Sequence, residues 1–214
     1  MLYFQQKSPP HGEMSTVIRP TKRDELVEKA TTIFYRNGFQ ATGMDMLVAE
    51  TGISKTSIYK HFKTKDDLIV ASLQHRDAFL RDWLFGRIGQ LATTPREQLI
   101  AMFDALDEWF RQPDFYGCMF AKACSEYQDP EHPIHREATK HVDRVSSQLA
   151  IIAEQAGLNG PAQLARQLAL LKEGAVVLAT MGRGSRPALD AKMVAIQLIE
   201  DAGVPGQGNS GAIC

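Results

Sequence analysis

The sequence predicts an all-α fold of about nine helices, and three observations carry that prediction. Helix-start signatures recur along the chain, apolar residues return every three or four positions, and strand signals are nearly absent. Four segments open with a Thr-x-x-acid pattern, in which the hydroxyl and the carboxylate satisfy backbone N–H groups left without partners at a helix start: Thr21/Asp24, Thr42/Asp45, Thr64/Asp67 and Thr94/Glu97.

Taken in order, the first helix opens at Thr21 and stops at Asn37-Gly38, since glycine readily takes a left-handed cap conformation. A short helix from about Gly43 to Glu50 opens on Thr42, which reads as its N-cap. Thr51-Gly52-Ile53 turns the chain into a second short helix beginning at Ser54. A longer helix opens at Thr64, with Leu68, Ser72, Phe79 and Trp83 loosely spaced along one side. The next opens at Thr94 with Pro95 in its first position, where a missing N–H costs nothing, and carries Leu99, Met102, Phe103, Leu106 and Phe110. Ala138, Val142, Val145, Leu149, Ile152 and Ala156 follow a regular helical rhythm that ends at Gly157. The rhythm returns after Gly160-Pro161 with Leu164, Leu168, Leu171, Ala175, Leu178 and Gly182, and a last helix runs from about Leu189 to Ala202. No repeat at solenoid spacing is present.

The chain of 214 residues, 44% hydrophobic and 23% charged, has the make-up of an ordinary globular protein. Its longest uncharged stretch, Ala202 to Cys214, and the more apolar Gly174 to Gly182 both fall well below the roughly 20 residues that span a bilayer, so no membrane role is expected. Three cysteines are too few for a disulfide scaffold and fit a reducing cytoplasm. The N-terminus offers no apolar h-region and no small-residue cleavage site, so secretion is not expected. Leu2-Tyr3-Phe4-Gln5 reads as a tag remnant, and Met14 as a possible native start.

The net charge of −1 conceals an asymmetry. Up to Lys65 there are 10 Lys/Arg against 6 Asp/Glu; beyond it there are 14 against 19. Thr51–Lys65 holds Lys55, Lys60, Lys63 and Lys65 and no acid. Such a stripe on a near-neutral chain is the pattern of a patch that meets phosphate, although a run of charge is also how a plain solvated helix face looks.

Two short helices joined by a glycine-bearing turn form a helix-turn-helix, whose second helix fits a DNA major groove. In that helix Ile58 and Phe62, four apart, face inward. Lys55, Thr56, Ser57, Tyr59, Lys60 and His61 are left outside, combining ammonium donors, hydroxyls and an aromatic ring.

Gly38-Phe39-x-x-Thr42, Leu47, Gly52-Ile53-Ser54-Lys55, Ile58-Tyr59-x-His61-Phe62 and Lys65-x-x-Leu68 resemble the N-terminal domain of TetR-family (TetR/AcrR type) transcriptional regulators. The resemblance covers roughly residues 22 to 70 without a gap. Val48 departs from it, where the family usually has Ala, and a small repacking is expected. The resemblance implies a recognition helix over Ser54–Phe62, with Lys55, Thr56, Ser57 and Tyr59 reading bases and Thr42, Lys60, His61 and Lys65 gripping phosphate. Arg19, Lys22 and Arg23 are candidates for an arm near the minor groove.

It also implies an organisation: residues 1–18 as an N-terminal segment or tag remnant, 19–65 as the DNA-binding domain, 66–202 as a helical ligand-binding and dimerisation domain, and 203–214 as a tail. The expected partners are a double-stranded DNA operator, a second copy of the chain and a small-molecule effector. The family dimerises through its last two long helices; the small residues Gly174, Ala175, Ala179 and Gly182, with Leu178 and Met193, are the candidate interface. Phe79, Trp83, Phe103, Trp109, Phe110, Met119 and Phe120 are the candidate effector pocket. Their character, with few candidate internal charges, implies a mainly apolar effector that tilts the helix beginning at Thr64 and releases DNA. No motif calls for a cofactor.

Four rival readings follow from single features. Redox sensing rests on Cys118 and Cys124, which are separated by about 9 Å of rise on one continuous helix, too far for a bridge. Metal response rests on His132 and His135 with Glu131, Cys124 or His141, but Pro133 separates the two histidines and breaks helical ligand spacing. An enzyme lacks support: there is no Gly-rich phosphate loop, Gly-x-Ser-x-Gly elbow or His-Glu-x-x-His pair. A purely protein-binding helical module is the last.

Overall fold

A computed structural model of the chain describes residues 21–182 and 186–203. The segment 1–18 and the tail beyond Gly203 lie outside the described residues. Nine α-helices are described: α1 (Lys22–Asn37), α2 (Met44–Thr51), α3 (Lys55–His61), α4 (Lys65–Leu91), α5 (Pro95–Phe110), α6 (Met119–Glu126), α7 (Pro133–Gln155), α8 (Pro161–Thr180) and α9 (Pro187–Ala202). No strand occurs among the described residues, and no helix there is long and apolar enough to cross a membrane.

Three of the four expected start signatures close as reciprocal hydrogen bonds. The Asp24 amide donates to Thr21 Oγ1 at 3.2 Å and the Thr21 amide to Asp24 Oδ2 at 3.1 Å. The equivalent bonds join Thr64 with Asp67 at the head of α4 and Thr94 with Glu97 at the head of α5. The fourth does not form, which corrects the reading of Thr42 as an N-cap. Gly43 occupies that position with no side-chain bond, because the Thr42 hydroxyl instead donates to the Gly38 carbonyl at 2.6 Å inside the turn.

The chain divides into two compact units. The first comprises α1, α2, α3, α4 as far as Phe79, and the segment Gln112–Lys140 with α6 and the start of α7. Its core is Leu26, Ala30, Phe34, Phe39, Leu47, Ile58, Leu68 and Leu73. The second comprises α4 from Leu80, α5, the rest of α7, α8 and α9. There α5, α8 and α9 pack on one another around Leu99, Met102, Phe103, Leu106, Leu164, Leu168, Ala195 and Ile199. Lys192 of α9 donates to both Asp104 oxygens of α5 at 2.7 Å, and Arg87 of α4 forks onto Glu108 of α5 at 2.7 and 2.8 Å. This division differs from a cut at residue 65, because α6 and the loop before it are tied to α1 and the turn after it by bonds far apart in sequence.

Three packing expectations need correction. Val142 is exposed, so the α7 rhythm is broken there. Ala175 is only 3% exposed and packs inside its own unit rather than on a free face. The interior is also less apolar than expected. Arg76, Asp77 and Glu137 are buried in the first unit, and His141 and Lys172 in the second. Buried charges need partners, and Glu173 supplies one for Lys172.

Candidate nucleic-acid interface

The helix-turn-helix is assembled from local bonds that its sequence dictates. Gly52 ends α2 in the left-handed region, φ 71° and ψ 11°, which glycine adopts without penalty. Its N–H donates to the Val48 carbonyl at 3.1 Å, and Val48 itself is half-buried. The Thr51 hydroxyl donates to the Leu47 carbonyl at 2.6 Å and accepts the Ile53 N–H at 3.1 Å, fixing the turn from inside. From α1, Lys29 Nζ donates to the Thr51 carbonyl at 3.1 Å, satisfying a helix-end acceptor with a cation. Ser54 caps α3 by accepting the Ser57 N–H at 3.3 Å.

These bonds aim α3. Ile58 and Phe62 are buried, as their spacing predicts, and the Arg23 guanidinium lies 4.8 Å from the centre of the Phe62 ring. Lys55, Thr56, Tyr59 and Lys60 are exposed, while Ser57 and His61 are half-buried. The Lys55 ammonium sits 3.6 Å from Asp45 of α2, an almost fully exposed carboxylate. Lys65, in the first turn of α4, is half-buried; burial lowers its pKa, opposed by Asp66 and Glu126 nearby. Thr42 is 0% exposed, so its hydroxyl is turned inward and is not presented to a phosphate, another correction.

The candidate effector residues fall in both units. Phe79, Met119 and Phe120 belong to the first; Trp83, Phe103, Trp109 and Phe110 belong to the second. In the second, the Trp83 and Trp109 rings lie 6.3 Å apart and Trp109 and Phe110 5.8 Å apart, a continuous aromatic group. In the first, Arg76 is buried with its guanidinium 4.3 Å from the Tyr35 ring centre. Burial lowers the Arg76 pKa and raises that of the Tyr35 phenol.

Of the candidate interface residues, Gly174, Leu178, Gly182 and Met193 are exposed and Ala179 is half-buried. Sequence spacing missed their larger neighbours: Leu170 (74% exposed), Val177, Met181 (65%) and Val194 are equally uncovered. The signal was present as a second stripe on α8, Leu170-Gly174-Val177-Leu178-Met181, beside the inward one.

The features behind the metal and redox rivals have other roles here. His132 Nε2 lies 3.6 Å from Asp66, with its ring on Tyr127, and His135 Nδ1 is 2.7 Å from the Tyr127 carbonyl. Burial, with Asp66 and Glu126 nearby, pushes the Tyr127 phenol up to about 12. Among the described residues no group of three His, Cys, Asp or Glu side chains could hold a metal ion. Burial raises the Cys124 thiol, the opposite of what a reactive thiolate needs, and Cys118 Sγ accepts the Ala121 N–H at the start of α6.

Residues 26–71 match the family model described as bacterial regulatory proteins, tetR family. The fold is similar to that of a putative TetR transcriptional regulator from Streptomyces avermitilis, 31% identical, with a TM-score of 0.72 over 86% of this chain and 98% of that one. It is also similar to a TetR-family transcriptional regulator from Streptomyces coelicolor, 28% identical, with a TM-score of 0.77 over 85% of this chain and 96% of that one. The HTH-type transcriptional repressor KstR2 of Mycolicibacterium smegmatis is 42% identical over 88 residues, which are 40% of this chain and 41% of that protein. The match to the family model falls on the helices that build the turn, and the likeness to the Streptomyces avermitilis protein covers most of the chain at an identity that similar folding alone does not require. The chain belongs to the TetR family of transcriptional regulators.

Proposed function

We propose that this regulator is a repressor that binds a near-palindromic operator as a homodimer and is released by a small effector. The observation that carries the reading is the solvent face of α3, where Lys55, Thr56 and Tyr59 stand clear of the buried Ile58 and Phe62. Lys55, Thr56, Ser57 and Tyr59 are assigned to base edges, and Lys60, His61 and Lys65 to phosphates. Residues 19–65 are the DNA-binding part and 66–202 the ligand-binding and dimerising part, with the cytoplasm as the place of action. The repressor name of KstR2 favours repression over activation.

One helix-turn-helix reads only a few base pairs, so useful specificity calls for two copies about one helical turn apart. The uncovered apolar residues of α8 and α9, Leu170, Leu178, Met181 and Met193 foremost, favour a second copy of the chain as what covers them. The aromatic group around Trp83 and Trp109, with Phe103 on α5, is the assigned effector site, and it favours an apolar or aromatic ligand body. Phe79, Met119 and Phe120 remain candidates in the first unit. α4 runs through both units, so a ligand that binds better to one placement of α4 biases DNA binding in proportion to that preference; a tenfold preference is worth about 1.4 kcal/mol.

The test is selection of bound duplexes from a random-sequence pool, followed by a salt titration. The expected result is an enriched two-fold-symmetric sequence whose affinity falls steeply with salt, by a log–log slope of about −0.9 per phosphate contacted. Enrichment of no sequence, or affinity independent of salt, contradicts the reading.

A further inference from the structure

The turn between α1 and α2 is held by a side chain from far along the chain. Glu126, the last residue of α6, accepts the Phe39 N–H on its two oxygens at 3.1 and 3.0 Å, and the Gln40 N–H at 2.6 Å. These amides lie between helices and have no helical acceptor, so a carboxylate satisfies both at once through charge-assisted bonds. Gly38 makes room for it. Its φ of 84° and ψ of 171° lie in a region open essentially to glycine alone, and a Cβ there would stand 2.8 Å from Glu126 Oε1.

Other bonds on the same side hold the end of α1. Lys122, one turn before Glu126, donates to the Tyr35 carbonyl at 2.9 Å, and the Tyr116 N–H donates to the Tyr35 hydroxyl at 2.9 Å. The Phe39 ring contacts both Phe34, with centroids 5.5 Å apart, and Tyr127, at 6.4 Å. After this turn the buried Thr42 leads directly into α2, and α2 leads into α3.

We propose that Glu126 is a positioning residue for DNA recognition: it sets the α1–α2 turn, and through α2 it sets the angle at which α3 meets base edges. This rests on the reading of α3 as the recognition helix. Simple charge argues the other way. Glu126 is close enough to influence the Lys65 ammonium, and an acid beside a phosphate-gripping lysine opposes DNA binding. Neutralising it therefore has opposite expected effects under the two accounts.

Glu126→Gln keeps the shape and places an amide NH2 where one oxygen accepts an N–H. The probes are the duplex selected by the wild-type chain and a scrambled duplex of equal length. The expected result is a loss of about tenfold or more in preference for the selected duplex, with affinity for the scrambled one unchanged or higher. A parallel fall for both duplexes, the mark of a merely structural role, overturns the proposal, and so does an unchanged preference or a rise for both. A wild-type chain that selects no duplex overturns the reading of α3 instead, and the proposal with it. Amide hydrogen exchange on the wild type gives a second measurement that does not depend on the variant folding. Slow exchange at Phe39 and Gln40 supports the clamp, and exchange at free-peptide rates overturns it.

Discussion

Leu178→Glu combined with Met181→Glu is expected to turn a dimer into a monomer and to weaken operator binding by about 10²–10⁴-fold, the usual gain from linking two binding modules. Both side chains are exposed, 47% and 65%, so neither substitution buries a charge within its own unit. The buried side chains of α8 and α9 are others, Leu168, Ala169, Val176, Ala191 and Ala195 among them. In the proposed dimer the new carboxylates face an apolar surface and each other, which is costly without partners. Sedimentation reads the mass, duplex titration reads the affinity, and native helix content with a cooperative melting transition in the monomer shows that its fold survives. A variant that stays dimeric places the interface elsewhere.

The second large effect separates bases from phosphates. Lys55→Ala or Thr56→Ala is expected to cost about 1–3 kcal/mol and to relax preference at particular base pairs. Lys60→Ala or Lys65→Ala is expected to weaken binding to every duplex alike and to flatten the salt slope by about one unit. Lys55 begins from a long, exposed ion pair with Asp45, which costs little to give up. Base-substituted duplexes titrated at several salt concentrations distinguish the two classes. A Lys65 variant that changed sequence preference, beside a Lys55 variant that did not, would reverse the assignment.

Much of the fold was legible because its signals are local. Thr21, Thr64 and Thr94 each cap a helix with an acid three residues on, and Ile58 and Phe62 turn inward as spacing four apart requires. Thr42 shows the same pattern and fails, because its side chain is turned back onto the Gly38 carbonyl and Gly43 takes the cap position instead. What could not be read depends on distant partners. Glu126 lies 87 residues from Phe39, and no local pattern shows that its carboxylate reaches the α1–α2 turn. Arg76, Asp77 and Lys172 look like surface charges on amphipathic helices, yet all three are buried. On α8 two apolar stripes run side by side, so spacing shows both but does not say which is covered, with Ala175, and which is left open, with Leu170.

Hydroxyl-radical footprinting of the selected duplex tests the central claim most directly, since each dimer is held to place two copies of α3 on one operator. The account predicts two protected patches related by two-fold symmetry, centred about one helical turn or slightly more apart, and both lost together in the Leu178→Glu, Met181→Glu variant. A single protected patch, or two patches that persist in a monomeric variant, would contradict it.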